Sequence, residues 1–381
     1  MEKEIKNDLS SMTYDDKIVG VKVRRVSEKV EGDLKDSTRS INRLGFTIVE
    51  ITSDSGHTGI GYASNGVGGS AVKAMIDDYI TPKILRRSPF ENETIWQEIY
   101  SYIRSVGRKG LSFHALSAVD IALWDLKAKI LNMPLYKLFG GKKCLVPVYG
   151  SGGWTSYSDE ELVEEMVSFV EQGYKAVKLK VGIEKGTNLR RDFKRVKMVR
   201  KALGDDIKIM LDANNCWDGA TGAKFANMVK DQDILFMEEP CPADDIPGLI
   251  KYKKSTDVPL ATGEHEYTKY GARDLLISDC VDVLQCDVVR TGGFSEMLKI
   301  CAMAEAFNIK IAPHGRENLH MHLAPAFSNF LSTEDLVMYD DITRKVFINA
   351  PQQKNGYLEL SDLPGHGLLL NEDFINSHQE N

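Results

Sequence analysis

Apolar and polar positions along the chain follow two rhythms, and the change between them falls near Gly140-Gly141. Before it, Ile18 to Val26 and Phe46 to Thr52 alternate as half-buried strands do, and Ser53-Asp-Ser-Gly-His-Thr-Gly supplies turn residues before a third run from Ile60. From Leu111 to Leu131 the spacing becomes helical, with Leu116, Val119, Ile121, Leu123, Trp124 and Leu126 apolar and Asn132-Met-Pro at the end. Strands followed by helices predict an α+β unit over residues 17–140.

After Gly141, short apolar strands alternate with amphipathic helices at the module length of repeated βα units. The strand candidates are VPVYG (146–150), AVKLKV (176–181), IKIMLDAN (207–214), ILFMEEP (234–240), PLATGE (259–264), VDVLQCD (281–287) and IKIAPH (309–314). Between the first two lies a helix from Asp159 to Gln172, which Ser158 and Glu161 open with capping-box spacing. Seven such units and a weaker eighth around Leu331 predict a closed barrel over 141–345; an open doubly wound sheet would carry GxGxxG after its first strand, and that motif is absent. The last stretch, 346–381, reads as strand and loop able to rejoin the N-terminal unit.

In a barrel of this kind the chemistry collects at the C-terminal ends of the strands. Lys178 and Lys180, Asp212, Glu238, Glu264, Asp287 and His314 all stand at such ends, and Asp212, Glu238 and Glu264 follow one another at intervals of 26 residues. One carboxylate at a strand end caps the next helix as readily as it binds anything. Three on adjacent strands repel unless a cation joins them, and oxygen donors select Mg²⁺ over zinc. Asp212, Glu238 and Glu264 are therefore the expected metal ligands, with Glu239, in the turn or on the opposite strand face, no more than their support. Lys178 and Lys180 share the inward face of one strand. A lysine acting as base needs its pKa lowered, and Lys178 and the metal would both lower that of Lys180. His314 would face Lys180 across the mouth, with Asp287 setting its tautomer. Asn214 is a candidate to bind substrate or a metal ligand. His320 and His322 suggest zinc, but two residues apart on a helix they do not share a face.

Composition narrows the function further. With 43% hydrophobic and 27% charged residues, 381 positions suffice for one large and one smaller unit, and no apolar run is long enough to span a membrane. A net charge of −7 without a basic block argues against nucleic acid as partner. Six scattered cysteines without a CxxC suit a reducing compartment, and the polar residues 1–16 read as a frayed tail rather than a signal peptide, which together predict a cytoplasmic location.

KLK (178–180), LDAN (211–214), MEEP (237–240), TGE (262–264), QCDVVRTGG (285–293) and APH (312–314), in that order, resemble the mandelate racemase subgroup of the enolase superfamily, from about Lys17 to the C-terminus. The resemblance implies an α/β fold: a (β/α)7β modified TIM barrel with an N-terminal α+β capping domain completed by the C-terminal segment. It also implies one Mg²⁺ per subunit, a homo-oligomer, and a Lys or His base whose enediolate Mg²⁺ stabilises, a scheme already general for the superfamily. The Asp287/His314 pair sets the chain apart from the muconate cycloisomerase branch, which has lysine at the position of Asp287. GRKGLSFHALSAVDIALWDLKAK (107–129) and YGSGGW (149–154) look like the acid-sugar dehydratases, particularly those for galactarate or talarate. The family's eighth-strand glutamate, a contact of the substrate carboxylate, maps onto Glu334.

The expected reaction is removal of the α-proton of a sugar acid by Lys180 or His314, then loss of the β-hydroxyl to give a 2-keto-3-deoxy acid. Racemisation or epimerisation by the same pair, and a non-catalytic metal-binding relative, are the alternatives. Segments Glu31 to Arg43 and Ser64 to Ser70 are expected to form capping loops that choose the substrate.

Overall fold

The computed structural model describes residues 16–64 and 68–380. Most of the expected tail, residues 1–15, lies outside them, as do residues 65–67 of the glycine-rich segment.

Three strands open the fold: β1 (Ile18–Lys35), β2 (Ser40–Ser53) and β3 (Thr58–Ser64), an antiparallel meander. The first two are longer than their alternating cores. Residues 27–35 are mostly polar, with only Val30 and Leu34 packed against the core, and so carry no regular alternation, yet they pair with β2 as far as Lys35↔Ser40, past a register shift between Lys29 and Leu34. The segment expected as a capping loop is therefore the end of a hairpin. Its turn is held by Asp36 Oδ1, which accepts from the amides of Thr38 and Arg39, each at 2.8 Å.

The helix Leu111–Ile130 packs on this sheet. Gly61 makes the approach possible, since a Cβ there would lie 2.0 Å from the carbonyl oxygen of Ala118.

Eight parallel strands follow: β4 (Leu145–Gly152), β5 (Ala176–Lys180), β6 (Lys208–Asp212), β7 (Ile234–Glu238), β8 (Leu260–Thr262), β9 (Val283–Leu284), β10 (Lys310–Ile311) and β11 (Thr333–Leu336). Their order is β10-β9-β8-β7-β6-β5-β4-β11. The circle closes where Ile311 bridges Phe330 and accepts from the Leu331 amide at 2.7 Å. This is a TIM-barrel-like α/β fold with an antiparallel N-terminal cap. The capping box at Ser158 and Glu161 opens the helix Asp159–Glu171. Val177, Leu179 and Val181 point outward into the main core, while Tyr149, Met210, Phe236, Ala261, Val283 and Ala312 form a separate cluster that fills the barrel interior.

The chain end serves both sheets. β12 (Tyr357–Glu359) pairs with β4, and β13 (Gln379–Glu380) pairs with β1 at Arg25↔Glu380. Contacts between cap and barrel include Trp96 Nε1 donating to Gly292 O at 2.8 Å and Ser37 Oγ to Ala213 O at 2.6 Å. All six cysteines are free. Among the described residues no helix is long and apolar enough to cross a membrane.

Candidate active site

The barrel register sets Lys180 beside Asp212, and Asp212 beside Glu238, across three neighbouring strands. All are buried, as is Lys178. Lys178 Nζ donates to Glu238 Oε2 and pairs with Glu334 Oε1 at 2.7 Å, while Lys180 Nζ donates to Asp212 Oδ2. Burial alone would lower both ammonium groups. Glu238 and Glu334 hold Lys178 well above its ordinary value, and Asp212 holds Lys180 above its own. The expected lowering of Lys180 counts on both Lys178 and Mg²⁺: Lys178 does push that way, the direct pair with Asp212 outweighs it, and an ion engaging Asp212 would weaken that pair.

Beyond β6 and β7 the chain turns through left-handed residues, Asn214 at φ 44° and Glu239 at φ 43°. Asn214 thereby returns to its own strand end, its amide donating to Asp212 Oδ1 at 2.9 Å and its side chain to Oδ2 at 3.2 Å. Glu239 is buried rather than peripheral. Its Oε2 accepts from Asn215 at 2.6 Å and its Oε1 lies 3.5 Å from His265 Nε2. Among the described residues, Glu239, Glu264 and His265 form the one trio of metal-type donors whose ligand atoms all lie within 4.8 Å of one another. Glu239 is expected from the sequence only to support the ligands and His265 is not expected at all: a left-handed turn brings Glu239 inward, and Gly263 at φ 139° breaks strand parity before His265.

Glu264 lies just past β8, between two sets of cations. Arg290 reaches its Oε1 at 3.1 Å and His314 Nε2 lies 3.5 Å from its Oε2. Burial would raise this carboxyl, yet His314 and Arg290 hold it well below the usual range. Asp287 does two jobs. Its Oδ1 caps the short helix Val288–Thr291 by accepting from Val289 N at 2.9 Å, and its Oδ2 lies 3.0 Å from His314 Nδ1. That pair and Arg290 overcome burial and keep Asp287 ionised.

Glu334, on the eighth barrel strand, accepts from Gly315 N at 2.8 Å as well as pairing with Lys178. Burial opposes its charge, but Lys178 brings its pKa down to about 2. His320 takes no part in a zinc-type cluster: its Nε2 accepts from Val288 N at 2.9 Å and its Nδ1 lies 2.6 Å from Gly315 O.

The expected ligands Asp212, Glu238 and Glu264 are not gathered within 4.8 Å of one another, since Lys180 holds Asp212 and Lys178 holds Glu238, but their oxygen donors together with Glu239 are of the kind a hard divalent cation takes. Glu238 Oε1 and Glu239 Oε1 are buried without a hydrogen-bond partner. Burial and Asp212 push Glu238 up to about 8, and burial with Glu264 pushes Glu239 well above the ordinary carboxylate value. Burial leads both shifts, and the crowding of carboxylates adds to it against Lys178 at Glu238 and Arg290 at Glu239.

Lys180, Asn214, Glu264 and His314 line one small cavity that adjoins a second of about 410 Å³, walled by the cap turn, Arg290 and Tyr339. Around the barrel, β5 and β10 are three strands apart by the shorter path, so Lys180 and the His314 that follows β10 approach from different sides.

Comparison with known proteins places this arrangement. Residues 18–140 match the mandelate racemase / muconate lactonizing enzyme N-terminal domain, and residues 161–374 match the enolase C-terminal domain-like family. The chain belongs to the mandelate racemase / muconate lactonizing enzyme family. It is 31% identical to the arabinonate dehydratase of Saccharolobus solfataricus, over 88% of this chain and 91% of that one. To the L-talarate/galactarate dehydratase of Salmonella typhimurium it is 32% identical, over 88% and 82% respectively. A Streptomyces coelicolor racemase crystallised with bound magnesium superposes with a TM-score of 0.90 at 29% identity, covering 95% of this chain and all of that one. Among mandelate racemase relatives, then, acid-sugar dehydratases and magnesium-bound structures both stand close to this enzyme.

Proposed function

We propose that the protein is a Mg²⁺-dependent acid-sugar dehydratase: it removes the α-proton of a sugar acid and expels the β-hydroxyl as water, leaving a 2-keto-3-deoxy acid. The observation that carries this reading is the shared cavity of Lys180 and His314, with carboxylates between them and the Asp287 carboxylate behind the imidazole.

Asp212, Glu238 and Glu264 would hold the ion, with Glu239 and Asn214 against them. When bound, Mg²⁺ supplies positive charge to the substrate carboxylate as the α-proton leaves. Lys180 Nζ and His314 Nε2 are the two proton carriers, one taking the α-proton and the other protonating the departing hydroxyl. Because Nδ1 of His314 is committed to Asp287, Nε2 is the nitrogen that faces substrate. Lys178, kept charged by Glu238 and Glu334, adds a cation beside the substrate carboxylate. An ionised Glu334 repels that carboxylate, so its role in this reading is to position Lys178 and the Gly315 amide rather than to touch substrate. The cap over 17–140, with its turn at Asp36–Arg39, closes the mouth and chooses among substrates.

A panel of sugar acids incubated with the Mg²⁺-loaded protein tests the reading. Keto-acid product from at least one of them is expected. Turnover that inverts or deuterates the α-carbon without keto acid would reject dehydration in favour of racemisation or epimerisation.

A further inference from the structure

Arg316 stands two residues beyond His314, in the wall of the larger cavity. It is 5% exposed, and its guanidinium lies 3.7 Å from the ring centroid of Tyr339. Its Nε is buried without a partner, and no hydrogen bond or ion pair to any described residue satisfies the group. The other arginines of this cavity are committed: Arg290 to Glu264 and Asp287, Arg39 to Asp36, Arg43 to Glu380. His114, on the same wall, is lowered to about 4 by burial and Arg290 and adds no charge. Asp287 and Glu317 act on Arg316 only through space, so the cavity holds one buried guanidinium whose hydrogen-bond donors no described residue fills, an arrangement that is costly unless a ligand completes it.

A planar fork of this kind matches a carboxylate in both geometry and charge, whereas a hydroxyl cannot neutralise it. The cavity runs into the one lined by Lys180 and His314, since Arg39, Arg290 and Tyr339 belong to both walls. A linear substrate with its reacting end between those two residues has its far end available to Arg316.

We infer that Arg316 binds the far carboxylate of a linear sugar diacid, so that this enzyme takes aldaric rather than aldonic acids. The inference rests on the chemistry proposed above, which fixes the near carboxylate. Family membership alone leaves it open, because one relative is named for a monoacid, arabinonate, and another for diacids.

Calorimetric binding of galactarate and galactonate to the Mg²⁺-loaded protein, in a Lys180→Met background that holds either acid unreacted, decides the matter. Galactarate is expected to bind on the order of 10- to 100-fold more tightly. Arg316→Met should erase that preference by weakening galactarate alone, and Arg316→Lys should keep part of it. Unchanged galactonate affinity shows that the Met variant is folded. Equal affinities for the two acids before Arg316 is changed, or an equal loss of both in Arg316→Met, would overturn the inference; the first comparison stands even where that variant does not fold. α-Deuterium exchange by the unmutated protein reports on the chemistry separately. Exchange without a diacid preference sinks this inference alone, while no exchange on any sugar acid sinks the dehydratase reading and leaves the binding comparison to judge Arg316.

Discussion

His314 Nδ1 lies 3.0 Å from Asp287 Oδ2, and the same carboxylate caps the helix Val288–Thr291 through its other oxygen. One rigid, ionised group thus fixes both the direction of the imidazole and which nitrogen faces the cavity. Asp287→Asn keeps the size but admits the wrong tautomer. Steady-state kinetics on that variant should show kcat lowered by about 100-fold or more, with KM changed far less.

Glu238 carries the strongest case for the cation. Its Oε1 is buried without a partner, and burial together with Asp212 raises its pKa to about 8. Thermal unfolding of the unmutated protein should shift upward with Mg²⁺, by about 2.7 kcal/mol of stability when the ion exceeds its dissociation constant about 100-fold. Glu238→Gln should lose that dependence, and chelation should abolish keto-acid formation in the unmutated protein.

Asp120 gives a pH dependence remote from the barrel mouth. It is buried under the helix Phe294–Ala306, accepting from Ser295 N at 2.9 Å and Ser295 Oγ at 2.5 Å, and burial lifts it to about 7 from 3.8 in spite of these bonds. A raised carboxyl gives stability that is fully present below its unfolded value and lost as pH rises through its folded one. Asp120→Asn stays neutral throughout. Urea unfolding should therefore show the variant gaining about 2 to 3 kcal/mol relative to the unmutated protein between pH 5 and pH 8.

Gly61 tests how the cap is built. Its Cβ position is occupied by backbone, the Ala118 carbonyl at 2.0 Å, which no side-chain rotation relieves. Gly61→Ala should cost about 3 kcal/mol or more in chemical denaturation by prising β3 from the helix Leu111–Ile130.

The parts of this fold governed by periodicity were legible in the chain. Two-residue parity put Lys178 and Lys180 on one inward face, and the capping-box spacing at Ser158 marked a real helix start. Where periodicity stops, so did the reading. The outer half of the β1–β2 hairpin is mostly polar, with Val30 and Leu34 too widely spaced to show alternation, and resembles a loop. Glu239 owes its direction to a left-handed turn, which no strand pattern encodes, whereas Asn214, expected against substrate or a metal ligand, does lie on Asp212 in spite of a similar turn. Arg316 itself adopts another such conformation, at φ 50°, and nothing in IAPHGR separates it from a solvated arginine. The shift of Lys180 depended on whether Asp212 or Lys178 lay closer, a matter of tertiary geometry.

The central claim is that Lys180 and His314 move the α-proton of a sugar acid, and isotope exchange reads it directly. In deuterium oxide with Mg²⁺, a reactive sugar acid should lose its α-proton and yield keto acid with the unmutated protein. Lys180→Met and His314→Asn, each shown to be folded, should each slow keto-acid formation by at least about 100-fold. Keto acid formed by either variant at the unmutated rate would contradict the account.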